Sequence, residues 1–182
     1  MHCDQAKRVL DCLINTVDHK ISYDKNEGFN GFADASLETC KRTGKSTTGY
    51  ILMHAGGPVI WRSFKQTSVA TSTGEAEHMA LSPLCKECIC AAQLGRELGF
   101  EQVKQPMIVF DDSEPAIAIA MGAGLTNRSR SIRLAYHNVK DCVVDKTINL
   151  QKISGKQNPA DILTKPLSKH GTGICCNIFF RK

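Results

Sequence analysis

The chain has 182 residues, 42% of them apolar and 23% charged, with a net charge of +5. This is the composition of a soluble globular domain large enough to bury a core, with a mild lean toward polyanionic partners. No apolar run approaches a membrane span, which argues against a membrane partner, and the charged opening "MHCDQAKRVLDCL" lacks the apolar stretch of a secretory signal. The nine cysteines then read as reduced thiols of a cytoplasmic or nuclear protein, not a secreted one.

In chain order, "AKRVLDCLINTV" (6–17) spaces Val9, Leu10, Leu13, Ile14 and Val17 as a helix does. After the polar stretch "DKNEG" come three strand-like runs, 31–36, 48–54 and 58–64, separated by the turn signals "CKRTGK" and "AGG". They predict an antiparallel meander with Trp61 in its core. A long helix is expected over 73–98, ending near Gly99, and a buried strand over 106–112. A helix ending at Gly122, a basic loop "NRSRSIR" (127–133), a helix in "AYHNVKDCVVDK" and a strand in "TINLQKI" follow. "NPADILTKPL" predicts a last helix, with Pro159 in its first turn. The order predicts an α/β layered domain with a mixed sheet.

Carboxylates carry the chemistry. Ser72-Thr73-Gly74-Glu75 fits a capping box, with the Glu75 side chain reaching back to the N-cap, so Glu75 has a structural explanation. Glu77, beside Ala76, Met79 and Ala80, has none if it faces inward, where an unpaired carboxylate is costly. Asp34 sits mid-strand, where Asp is disfavoured. Asp111 and Asp112 end the run "MIVF", and Asp161 opens the "NPADIL" turn, where a structural acid is also at home. Taken singly, each has a bland reading. Converging, they would repel one another unless cations lie between them, and Mg²⁺ suits such an oxygen-rich set. A pair of such ions can stabilise both the attacking and the leaving oxygen of a phosphoryl displacement.

"CKECIC" (Cys85, Cys88, Cys90) lacks a second ligand pair at zinc spacing and lies in a predicted helix. "TGKST" is not a phosphate-binding loop, because Thr39 stands where the motif needs glycine. The basic positions Lys41, Arg42, Lys45, Arg128, Arg130 and Arg133 are candidate phosphate contacts or simply solvated charges. His137 reads as a helix-surface residue.

The blocks "GFADASLETCKRTGKSTTGYILMHAGGPVIW", "STGEAEHMALS", "FDDSEPAIAIA", "YHNVKD" and "NPADILTKPL" resemble, in unbroken order, the ribonuclease H domain of copia-type LTR retrotransposon polyproteins. The resemblance covers roughly residues 6–167. It implies residues 1–27 as the end of the reverse transcriptase connection segment, 28–167 as a ribonuclease H-like domain with a five-stranded mixed sheet flanked by helices, and 168–182 as an unassigned tail.

It also implies Asp34, Glu77, Asp112 and Asp161 as catalytic, metal-binding acids. Two Mg²⁺ ions, with Mn²⁺ as the alternative, would serve hydrolysis of the RNA strand of an RNA–DNA hybrid. Ser36 becomes a candidate reader of the 2′-hydroxyl. The implied partners are the hybrid and the reverse transcriptase portion of the same polyprotein, within a cytoplasmic virus-like particle or the nucleus.

The sequence departs from the family pattern at Pro83, a helix breaker within a turn or so of Glu77, and at Ser131 and Arg133, where His and Asp are usual. No histidine precedes Asp161 in "ISGKQNPAD". These departures feed an alternative, an inactive retroelement remnant that folds and binds nucleic acid. A transposase or integrase reading is disfavoured by the copia-type blocks.

Overall fold

The apolar and polar alternation around Asp34 and Tyr50 becomes the centre of a sheet in the computed structural model, which describes residues 2–23, 27–40, 42–122, 130–168, 172, 173 and 178. Strands β1 (Asn30–Cys40), β2 (Lys45–His54) and β3 (Gly57–Lys65) form the expected antiparallel meander. Strands β4 (Met107–Asp111) and β5 (Ile148–Lys152) add in parallel beside β1. The order across the sheet is β3-β2-β1-β4-β5, so Asp34 lies on the central strand. The expected five-stranded mixed sheet flanked by helices is what forms.

One face is covered by helix α2 (Thr73–Glu97). Ala33, Ala35, Tyr50, Leu52, Val109 and Leu150 of the sheet share a core with Ala76, Ala80, Leu81, Leu84, Cys85 and Cys88 of α2. Small residues on β1 let the helix approach closely, and each well-buried aliphatic side chain adds about 1.5–3 kcal/mol. Pro83 does not end α2, which runs as one 25-residue element. The helix stops beyond Glu97, where Gly99 takes a φ of +76° and the Phe100 N–H returns to the Gly95 carbonyl.

Helices α3 (Glu114–Ala120) and α4 (Arg130–Val144) connect β4 to β5. The basic stretch at 127–133 is therefore not all loop, since Arg130–Arg133 form the first turn of α4. His137 is exposed on α4, as expected.

The other face is covered more thinly. Ile51 and Met53 pack there with Phe32, Ile162, Leu163 and Leu167, the last three on or just after a 3₁₀ turn, Pro159–Leu163. "NPADIL" thus gives a 3₁₀ turn and not the expected α-helix. Pro159 and the Asn158 cap start either kind of turn equally well, and docking against the sheet decides between them. Trp61 does not enter the core expected for it. It is 57% exposed, because β3 is an edge strand and the short 3₁₀ turn leaves this part of the second face uncovered.

Helix α1 (His2–Asn15) carries its predicted apolar stripe outward, with Val9, Leu10, Leu13 and Ile14 each more than half exposed. Behind it, the Tyr23 hydroxyl donates to the Pro58 carbonyl at 3.2 Å and ties this segment to β3. Among the described residues, no helix is long and apolar enough to cross a membrane.

Candidate active site

The helix holding Glu77 starts at Ser72, whose hydroxyl accepts the Glu75 N–H at 3.2 Å. The Glu75 carboxylate reaches back one residue further than a capping box would take it, to the Thr71 N–H and hydroxyl, both at 2.6 Å. Glu75 is thereby engaged in starting the helix. Glu77, two residues on and so on a different face of the helix, is 4% exposed, and its Oε2 is buried with no hydrogen-bond partner among the described residues. The two glutamates of "STGEAE" do different work.

Asp34 is 1% exposed at mid β1. Opposite it in the register stands Gly49 of β2. A Cβ there would come within 2.7 Å of Leu163 Cβ and Thr164 Cγ2, so the absent side chain lets the 3₁₀ turn lie on the sheet beside Asp34. Asn158 fixes that turn. Its Nδ2 donates to the Ala33 carbonyl at 2.7 Å, while its Oδ1 accepts the Ala160 N–H at 3.1 Å. The Thr164 hydroxyl then donates to Asp34 Oδ2. Lys165 Nζ lies 2.9 Å from Asp161 Oδ1 and 3.8 Å from Asp34 Oδ1. The polar residues of "NPADILTK" thus either fasten the turn to β1 or enter the acid cluster.

Strand β4 supplies the rest. Asp111 is fully buried; its Oδ1 accepts the Ser113 N–H at 2.7 Å, and its Oδ2 has no partner among the described residues. Asp112 follows as the chain turns toward α3. The acids form two groups, Asp34–Asp112–Asp161 and Glu77–Asp111–Asp112, and within each one carboxylate oxygen from every member lies within 4.8 Å of the others. Asp112 belongs to both. All four sequence-predicted acids are therefore together, and Asp111 joins them. Alternation along a continuing strand would turn only one of Asp111 and Asp112 toward the cluster; both enter because the strand ends at Asp111.

Burial first, and then the neighbouring charges of Asp34, Asp111 and Asp112, push the Glu77 carboxyl up to about 10. Burial also lifts Asp111 to about 7, helped by Asp112 and Asp34 and opposed by the Ser113 amide. Asp34 rises to about 6: burial is the largest cause, the Thr164 hydrogen bond and Lys165 hold it down, and Asp161 raises it. Asp112 shifts upward through burial and the charge of Asp161. Lys165 is pushed down by burial, but Asp161, Asp34 and Asp112 outweigh this and hold it above its usual value. Crowded carboxylates with unpaired buried oxygens fit a hard divalent cation, which would replace the protons they otherwise need.

The predicted nucleic-acid contacts are more dispersed. Ser36 is half-buried, two residues past Asp34 on the same face of β1. Arg42 is exposed in the β1–β2 turn, Lys45 begins β2, and Arg133 is exposed on α4. Arg130 begins α4. Lys41 and Arg128 lie outside the described residues. Thr164, Lys165 and Asn158 were not singled out from the sequence, although all three lie inside a motif that was.

No family model matches the chain. It is 31% identical over 175 residues, 96% of its length, to the retrovirus-related Pol polyprotein from transposon TNT 1-94 of Nicotiana tabacum. It is also 31% identical over 92% of its length to the Pol polyprotein from transposon RE2 of Arabidopsis thaliana. It spans only 13% and 12% of those polyproteins. Among solved structures, LC11-RNase H1 from compost superposes with a TM-score of 0.52 at 16% identity, covering 76% of this chain and 93% of that one. The N-terminal RNase H domain of rv2228c from Mycobacterium tuberculosis gives 0.50 at 13% identity, covering 84% and 96%. LC11-RNase H1 in complex with RNA/DNA hybrid also gives 0.50. The homologues of this chain are copia-type Pol polyproteins of transposons, and the fold it shares with solved proteins is that of ribonuclease H.

Proposed function

We propose that the chain is a divalent-metal-dependent endoribonuclease that hydrolyses the RNA strand of RNA–DNA hybrids, with Asp34, Glu77, Asp112 and Asp161 holding the metal. The observation that carries this reading is their convergence from β1, α2, the end of β4 and the 3₁₀ turn into two groups that share Asp112. Two groups with one common member suit a pair of Mg²⁺ ions, with Mn²⁺ as the alternative. When bound, such ions would stabilise the attacking and leaving oxygens of a phosphodiester and make water a better nucleophile.

The protein's own part is placement. Asn158 and Gly49 hold the 3₁₀ turn on β1, the Thr164 hydroxyl orients the Asp34 carboxylate, and Glu75 anchors the helix that aims Glu77. Asp111 backs the cluster from the strand end. Ser36, further along Asp34's face, is the proposed reader of the 2′-hydroxyl, and Lys41, Arg42, Lys45, Arg128 and Arg130 are proposed phosphate contacts. The rest of the polyprotein, its reverse transcriptase portion first, is the proposed protein partner, in a cytoplasmic particle or the nucleus. The exposed apolar stripe of α1 and the far greater length of the relatives support that partner.

The test is cleavage of a labelled hybrid by the purified chain in Mg²⁺ and in EDTA, beside Asp34→Asn. Metal-dependent cut RNA that disappears in the variant supports the enzyme. Salt-sensitive binding without cleavage would instead establish an inactive remnant.

A further inference from the structure

Lys165 is the one basic side chain within ion-pairing distance of the acid cluster among the described residues. It follows Asp161 by four positions, and the Lys165 N–H bonds the Asp161 carbonyl at 3.1 Å, so the turn itself fixes where the lysine stem begins. Its ammonium sits 2.9 Å from Asp161 Oδ1 and 3.8 Å from Asp34 Oδ1, contacting two of the three acids of one group. The Glu77–Asp111 side has no comparable partner among the described residues.

The lysine is not locked in. Its side chain is 42% exposed, whereas that of Asp34 is 1% exposed. A flexible stem ending in a compact charge can swing to solvent when a denser charge competes for the same oxygens. A divalent ion bound by Asp34 and Asp161 would occupy oxygens that Lys165 now faces, and the two cations would repel.

We propose that Lys165 is a resident counter-ion of the Asp34–Asp112–Asp161 group and that a divalent cation must displace its ammonium from Asp34 and Asp161 to bind there. This rests on reading the cluster as a metal site. It adds a residue whose charge sets how much metal that site needs. Lys165 acts here as a positioning residue: it steadies the acids and weakens their hold on metal at once. A lysine that merely braced the 3₁₀ turn would have the opposite effect on metal, because loosening Asp161 weakens binding.

The experiment titrates the whole purified chain with Mg²⁺ alone, reading both the melting midpoint and the heat of binding at fixed pH and ionic strength. Lys165→Met is compared with Lys165→Arg, which keeps the charge. In EDTA, Lys165→Met should melt below wild type. Its Mg²⁺ dissociation constant should fall by about tenfold, in the usual range of coupling between two competing ligands, while Lys165→Arg stays near wild type. Lys165→Gln serves as a second neutral variant if the methionine variant fails to fold, and should shift affinity the same way. A saturable Mg²⁺ response in wild type that is unchanged or weakened in the neutral variants overturns the counter-ion role and leaves the metal site standing. No saturable response in wild type overturns the metal reading and the counter-ion role with it.

Discussion

On one side of Asp112 stand Asp34 and Asp161, with a threonine hydroxyl and a lysine ammonium turned toward them. On the other stand Glu77 and Asp111, each with a buried oxygen that neither a hydrogen bond nor a cation meets among the described residues; Asp161 Oδ1 also lacks a well-directed hydrogen bond, but the Lys165 ammonium lies 2.9 Å from it. Burial is the largest upward cause on both sides, yet Asp34 rises only to about 6 while Glu77 reaches about 10. The difference follows from the partners. Thr164 and Lys165 offset part of the desolvation at Asp34, whereas Glu77 feels three further carboxylates and only a backbone N–H in its favour. One half of the cluster is partly neutralised by the fold; the other half depends on a proton or an added cation.

The largest effect should come from removing an acid on either side. Asp34→Asn or Glu77→Gln should reduce hybrid cleavage by roughly a thousandfold or more, as when one member of a catalytic unit is lost. Single-turnover rates at saturating Mg²⁺ would check this, and a loss under tenfold would sink the shared-site reading.

The two variants should then part company in stability. Glu77 is pushed from an ordinary 4.5 to about 10, so the folded chain keeps a proton that the unfolded chain releases. The stability tied to that proton is whole below pH 4.5 and is lost as pH climbs toward 10. Glu77→Gln has no such proton to lose. In EDTA its advantage over wild type should grow across that window, reaching on the order of 5 kcal/mol at pH 8 by denaturant unfolding. Asp34→Asn should gain less, over the narrower window from 3.8 to about 6, because Thr164 and Lys165 already serve its carboxylate. Equal gains would erase the contrast between the halves.

Much of this was legible in the sequence, for definite reasons. Alternation and turn residues carried the β1–β2–β3 meander, and helical spacing with a Ser72 cap carried α2. Asp34 and Glu77 stood out because a mid-strand Asp and an inward Glu have no cheap local explanation. What stayed hidden depended on contacts between distant segments. Thr164 and Lys165 gain meaning only once "NPADILTK" folds over β1, some 130 positions away. Trp61 reads as core in a strand, and only the strand order reveals that its part of the face is uncovered. Whether Asp111 or Asp112 faces the acids is ill-posed for a strand that ends between them.

The partly neutralised half can also be broken without touching a charge. A methyl group at position 49 would press within 2.7 Å of Leu163 and Thr164, and within 3.1 Å of the Ala160 carbonyl. The turn must lift for Gly49→Ala to fold, at about 1–3 kcal/mol, the usual cost of overpacking. Thr164 and Lys165 leave Asp34 together. Cleavage should therefore fall along with the melting temperature, and added Mg²⁺ should restore only part of either. Unchanged melting and cleavage would show that the turn is not held where Gly49 places it.

Gly155 gives the smallest and sharpest test, because it touches the acid common to both halves. A Cβ there would meet Asp112 Oδ2 at 2.7 Å and no other atom nearer than 3.7 Å. Unlike the wall of backbone and branched side chains around Gly49, this neighbour is the end of a partly exposed side chain that can rotate away. Gly155→Ala should leave denaturant stability within about 0.5 kcal/mol of wild type, as at most surface sites. Turning the shared carboxylate should still cost activity, about tenfold in cleavage rate, since misplacing a catalytic group slows chemistry without unfolding anything. If Asp112 serves both groups, the loss should appear with the Mg²⁺ requirement of the whole reaction shifted upward. A variant with normal cleavage and a normal Mg²⁺ midpoint would show that the position of Asp112 Oδ2 does not set metal binding in either group.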